Sequence, residues 1–117
     1  MDDDGTNPGE LPVAKLAQLF SFDLVSPASG GYARGGAAGG PAQAIKAVSI
    51  SVLPDPGNSG TVWFSGGGTA TFPLPKTQTV PLFMDATEPY YFDLSTLCVD
   101  GHGTSGLIVH VIAMTVP

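Results

Sequence analysis

The run from Leu107 to Val116, LIVHVIAMTV, is apolar at both alternating sets of positions and rich in β-branched side chains. A run of this kind reads as a strand with apolar residues on both faces. One face is expected to meet the domain's own core and the other to be covered by a neighbour. His110 is the one strongly polar side chain in it. The simplest reading of His110 is a polar residue in an otherwise apolar strand, placed at a subunit contact.

Working backward from this strand, VDGHGTSG (Val99 to Gly106) is Gly-rich, and Asp100-Gly101 is a favoured turn pair. It predicts a hairpin connection from a strand ending at Val99. GHGT also resembles the histidine segment of subtilisin-like proteases, with Ser105 offered as a nucleophile. That chemistry needs Asp, His and Ser delivered from separated parts of a large scaffold. Here His102 and Ser105 are three residues apart in a chain of 117, so the turn is the better reading.

Further upstream, YYFDLSTLCV (90 to 99) reads as one strand, and TVPLFM (79 to 84), TATFPL (69 to 74) and TVWFS (61 to 65) as short ones. Pro73 and Pro81 demote parts of these to edges or bulges. Val48, Ile50 and Val52 alternate with Ala47, Ser49 and Ser51, as on a strand with one apolar face. Between them, DPGNSG (55 to 60) combines proline's fixed φ with residues that tolerate turn dihedrals, and predicts a connector. No sustained helical period interrupts this series. The pattern predicts an all-β domain: a small antiparallel β-sandwich or barrel of jelly-roll or Greek-key type, over residues 45–117.

The first 44 residues differ. Before the domain come the polar MDDDGTNPGE, then an apolar island, then SGGYARGGAAGGP (29 to 41), in which six of thirteen residues are Gly. The island includes Leu11, Val13, Leu16, Leu19, Phe20, Phe22, Leu24 and Val25, too few to form a core alone. Residues 1–44 are therefore expected to be an extended Gly-rich arm whose island needs a surface to bury against, be it its own domain, a sister subunit or another protein.

Composition bounds the function. Only 12% of residues are charged, and the net charge is −6 with four basic residues, Lys15, Arg34, Lys46 and Lys76. Binding a phosphate backbone needs several basic side chains, so neither nucleic acid nor an anionic membrane surface is the expected partner. Protein is. Cys98 is the sole cysteine, which leaves no intrachain disulfide, and its apolar context predicts an inert buried thiol. Asp2, Asp3 and Asp4 read as a solvated acidic tail. Asp55 and Asn58 lack calcium-loop spacing, and GGG (66 to 68) lacks the residues of a phosphate loop. No catalytic, cofactor or metal residues are assigned, and the chain is expected not to be an enzyme. The acidic start is unlike a signal peptide, and no stretch reaches the roughly 18 apolar residues of a membrane helix.

Trp63 and Phe64 are consecutive, so in a strand they point to opposite faces, and one must find burial outside the core or stay on display. Tyr90, Tyr91 and Phe92 repeat the problem. The candidate protein-interface residues are Leu11, Val13, Leu16, Phe20, Phe22, Tyr32, Trp63, Tyr90, Tyr91 and His110. A domain of about 73 residues must offset roughly 1.5 kcal/mol of conformational entropy per residue from a small interior, which makes association a physical expectation.

In order along the chain, VSISV, DPGNSG, VWF with GGG, DLS through VDG, and LIVHVIAM resemble a module common in tailed-bacteriophage virion proteins. The likeness covers residues 45–117. The middle segment PLPKTQTVP (73 to 81) departs from the module's usual turn. The resemblance implies a capsid decoration (cement) or head accessory protein with a small β-sandwich. It implies attachment to the major capsid protein on the outer surface of the virion capsid, and assembly as a homo-oligomer, with a trimer expected from threefold positions on such shells. The alternative it leaves open is a head fibre, tail or adaptor protein whose β domain binds a host glycan or another virion protein.

Overall fold

The computed structural model of the chain describes residues 18–27, 32–67, 72–87 and 89–116. Nine strands are present among them: β1 (Gln18–Val25), β2 (Tyr32–Arg34), β3 (Lys46–Pro54), β4 (Val62–Ser65), β5 (Phe72–Leu74), β6 (Leu82–Asp85), β7 (Phe92–Asp93), β8 (Cys98–Asp100) and β9 (Ile108–Thr115). They form two sheets with antiparallel pairings throughout, one ordered β1-β9-β3-β6 with β7 also on β3, the other β2-β8-β4-β5. The fold is an all-β sandwich.

Apart from the two-residue β7, each strand of the larger sheet has a chain neighbour at the same place in the smaller one: β1 and β2, β9 and β8, β3 and β4, β6 and β5. This is the strand order of an eight-stranded jelly roll. It follows that the Val99-to-Leu107 connection is not the hairpin expected from Asp100-Gly101. It carries the chain from one sheet to the other. The loop can do so because Gly101 sits against Ser26 and the Thr104 carbonyl, where a Cβ would collide with that oxygen. The buried Ser26 hydroxyl donates to Thr104 O (2.7 Å) and accepts from Leu107 N–H (3.0 Å), pinning the part of the crossover that leads into β9.

The core lies between the sheets. Leu24, Ile50, Val52, Val109, Val111 and Ala113 from the larger sheet meet Val62, Phe64, Leu74 and Val99 from the smaller, with Leu94 and Leu97 closing one end. β9 runs between β1 and β3. Val109, Val111 and Ala113 are buried, while Ile108, His110, Ile112 and Met114 face outward.

Three further expectations are corrected. First, a boundary at residue 44 does not hold for the described part of the arm. β1 pairs with β9 over eight residues, and Leu24 is fully buried in the core, because the outer edge of β9 needs a partner. The Gly-rich stretch contributes β2 and a short 3-10 turn, Gly35–Ala38, where Gly35 takes φ +52° with no room for a side chain beside Ser95 O. Residues 1–17, with Leu11, Val13 and Leu16, lie outside the described residues. Second, YYFDLSTLCV is two short strands in different sheets, β7 and β8. Asp93 breaks it by accepting hydrogen bonds from the Ser95 N–H (3.0 Å) and hydroxyl (2.7 Å), which caps a 3-10 turn over Leu94–Thr96. Third, the register of β3 on β9 slips between Ala47 and Ser49. That bulge turns Val48 outward and puts Ala47 in the core beside Ile50 and Val52.

Candidate functional site

The outer face of the larger sheet is the best-formed candidate surface. Strand alternation and register fix what it carries: Leu19, Ser21 and Asp23 from β1, His110, Ile112 and Met114 from β9, Ser49 and Ser51 from β3, and Phe83 and Asp85 from β6. In the register, Leu19, Met114, Ser49 and Asp85 form one row across four strands, and Ser21, Ile112, Ser51 and Phe83 the next. Small serines on β3 between larger neighbours leave a shallow groove of about 210 Å³, bounded by Leu19, Phe83, Asp85, Ile112 and Met114. Leu19 is 72% exposed, Phe83 71% and Ile112 50%, so one chain leaves the patch uncovered. Contiguous apolar exposure of this kind marks interaction surfaces more often than isolated exposed residues do.

One row further along, the face turns ionic. His110 Nδ1 lies 2.7 Å from Asp23 Oδ1 and Nε2 lies 2.8 Å from Asp55 Oδ1. A neutral imidazole has one donor nitrogen, whereas the imidazolium has two, so two ionised carboxylates are satisfied together only by the protonated ring. The hydrogen bond to Asp55, then that to Asp23, hold the His110 pKa above its usual value against partial burial. Asp55 is held below the usual carboxylate range by His110 and by the Gly57 N–H, which donates to its Oδ2 at 2.8 Å. The ring therefore ties edge strand β1 to the turn after β3. Because its two nitrogens are committed to carboxylates on opposite sides, these three residues do not converge on a common point. Among the described residues no group of three or more His, Cys, Asp or Glu is arranged to hold a metal ion.

Trp63 is on the other side of the molecule, on the outer face of the smaller sheet, while Phe64 is buried in the core as the alternation requires. Trp63 thus lies outside the core, and it is covered in part by a neighbour from its own chain. The His102 ring stacks on it at 4.6 Å and 24°. His102 is held there with φ +48°, the only described non-glycine residue in the left-handed region, by its N–H donating to Asp100 Oδ1 at 2.7 Å. Its ring is 3.7 Å from Asp100 Oδ2, and among the described residues it makes no hydrogen bond to Ser105. A nucleophile and base are thus not brought together.

Of the other residues singled out from the sequence, Phe20 and Phe22 sit on the core side of β1 with rings 5.6 Å apart, and Phe20 remains partly exposed. Tyr32 is in β2. Tyr90 and Tyr91 are exposed on the β6–β7 connection, and Lys46 Nζ lies 5.5 Å from the centre of the Tyr91 ring. Cys98 is buried, its sulfur accepting from Arg34 Nε at 3.1 Å. His110 and Trp63 therefore belong to separate surfaces. Leu19, Phe83, Ile112 and Met114, which carry the groove, and Asp23 and Asp55, which hold His110, are absent from the sequence-derived set. Alternation within β9 points to Ile112 and Met114; the cross-strand partners need the register.

Compared with known proteins, the chain matches no protein-family model, no curated protein and no solved structure.

Proposed function

We propose that this protein is a structural virion protein that decorates and stabilises a tailed-phage capsid from its outer surface, bound to the major capsid protein as a homo-oligomer and acting without catalysis. The observation that carries the reading is the uncovered apolar patch of Leu19, Phe83, Ile112 and Met114 on a rigid sheet. A surface of that kind on so small a domain calls for a protein partner. The ordered series of segments resembling phage virion modules supports a virion setting. The jelly roll is compatible with it, being a frequent capsid architecture, though it serves lectins and cupins as well. The low basic content and the engagement of both histidines in structural contacts also favour binding over chemistry. Many copies on one shell would act through avidity, so no single contact need be tight.

The alternative, a fibre or adaptor that binds glycan, draws on exposed Tyr90 and Tyr91. Against it, the indole of Trp63 is already stacked by His102. The test is to add the purified protein to capsids assembled from a tailed-phage major capsid protein of the same source, and to image them by electron microscopy. Regular added density on the outer surface, with DNA retained to a higher temperature, is the expected result. Absence from the shell together with saturable binding to host glycan would move the assignment to the alternative.

A further inference from the structure

We infer that β1 is a pairing edge, and that two copies of the chain join through their β1 strands, antiparallel about a twofold axis, into one continuous sheet. The inference rests on the edge itself and not on capsid attachment.

The direction of the backbone groups in β1 follows from the hydrogen bonds at its end. Ser26 N–H donates to Leu107 O (2.9 Å), and on the other side of β9 Asp55 N–H donates to Ile108 O (3.0 Å). With the register of β1 on β9, this aims the N–H and C=O groups of Gln18, Phe20, Phe22 and Leu24 at β9. Those of Leu19, Ser21, Asp23 and Val25 point away from the sheet, with Gly39 lying close to the Asp23 carbonyl. Natural edges are usually blunted by shortness, proline, lysine or a bulge. Among the described strands the other edges are short: β2 and β5 have three residues, β5 contains Pro73, and β6 has four. β1 has eight residues, QLFSFDLV, with no proline, glycine or lysine and no break in register. Its one charge, Asp23, is already held by His110.

The strand is also self-complementary. Outward-pointing residues must pair with outward-pointing residues, which restricts the register. Placing Asp23 opposite Asp23 sets like charges together, and placing it opposite Leu19 sets a carboxylate on an apolar side chain. The remaining central register puts Leu19 opposite Val25, Ser21 opposite Asp23, Phe20 opposite Leu24 and Phe22 opposite Phe22. The Phe22 pair lies on the axis at a non-hydrogen-bonded site, where side chains come closest. Phe20, left 38% exposed on the core side of β1, gains a cover from the second copy. This assembly is twofold, and stands against the trimer implied by resemblance.

The test is the mass of the full chain in solution by size-exclusion chromatography with light scattering, over the micromolar range. A dimer is expected. Ser21→Pro removes an N–H that β9 does not use, so it should halve the mass with an unchanged far-UV circular dichroism spectrum. Should that variant misfold, Leu19→Lys with Val25→Lys should halve the mass instead. Under oxidising conditions Phe22→Cys should give a disulfide-linked dimer, with wild type, whose Cys98 is buried, as the control. A monomeric or trimeric full chain, or a dimer that survives both edge variants while folded, overturns the proposal. Cross-linking of Ser21→Cys but not Phe22→Cys overturns the register. Failure to bind capsids would leave all these results unchanged.

Discussion

His110 holds two carboxylates from different parts of the chain, and its protonation state is therefore linked to folding. Its pKa is raised in the fold, so its contribution is fully present below the unfolded value of about 6.5 and is lost as pH rises through the folded pKa. Asp55 has the opposite sign: its pKa is lowered, and its contribution is lost as pH falls through the folded value. Stability should decline as pH rises from the histidine range into mild alkali. His110→Gln should flatten that decline, as measured by urea denaturation across pH; an unaltered slope would disconnect the ring from the effect. Asn58 is the second residue whose role is tertiary. It is buried, its Oδ1 accepting from Ile108 N–H (2.8 Å) and its Nδ2 donating to Ile108 O (3.0 Å). The side-chain amide thus stands in for a strand partner at the start of β9. Asn58→Ala should cost about 1–3 kcal/mol in chemical denaturation, because it leaves the Ile108 N–H unpaired. From the sequence, DPGNSG is legible as a connector, but the use of its Asn depends on β9, fifty residues away in the chain.

At the scale of elements, strand existence was largely legible and strand boundaries and partners were not. Alternation predicts β3, β4 and β9 because each packs one face on the core. It fails at Val48, since a bulge is a property of a pair of strands and the residues of one strand do not encode the slip. It fails again at YYFDLSTLCV, where the aromatic and apolar run hides a capping side chain. Asp93 accepts from the Ser95 amide and hydroxyl. Those bonds, with one from the Ile45 backbone, outweigh the desolvation that would raise its pKa, leaving it lowered. Asp93→Ala should destabilise the protein by about 0.5–2 kcal/mol, the usual cost of losing a cap, with Asp93→Asn retaining more stability than Ala. Thermal unfolding of the three proteins side by side would check the order.

For the whole molecule, the prediction concerns the outer face. Phe83→Lys and Ile112→Lys change exposed side chains that fill no core position, so each should leave unfolding within about 0.5 kcal/mol of wild type. On the proposed reading, the pair should lower capsid occupancy at least tenfold in a sedimentation assay. Equal occupancy would mean that the shell contact lies elsewhere, for instance on the Tyr90 and Tyr91 side. By itself, the sequence determined the all-β class, the two-faced apolar character of Leu107 to Val116, and an acidic composition with few charges. These are local or compositional properties, carried by alternation, side-chain type and charge. Only the tertiary structure decided that Gln18–Val25 is a sandwich strand, that the loop after Val99 changes sheets, and that His110 meets Asp23 and Asp55. Each of these depends on which distant strand supplies the neighbouring backbone, and in this jelly roll most adjacent strands of a sheet come from far apart in the chain.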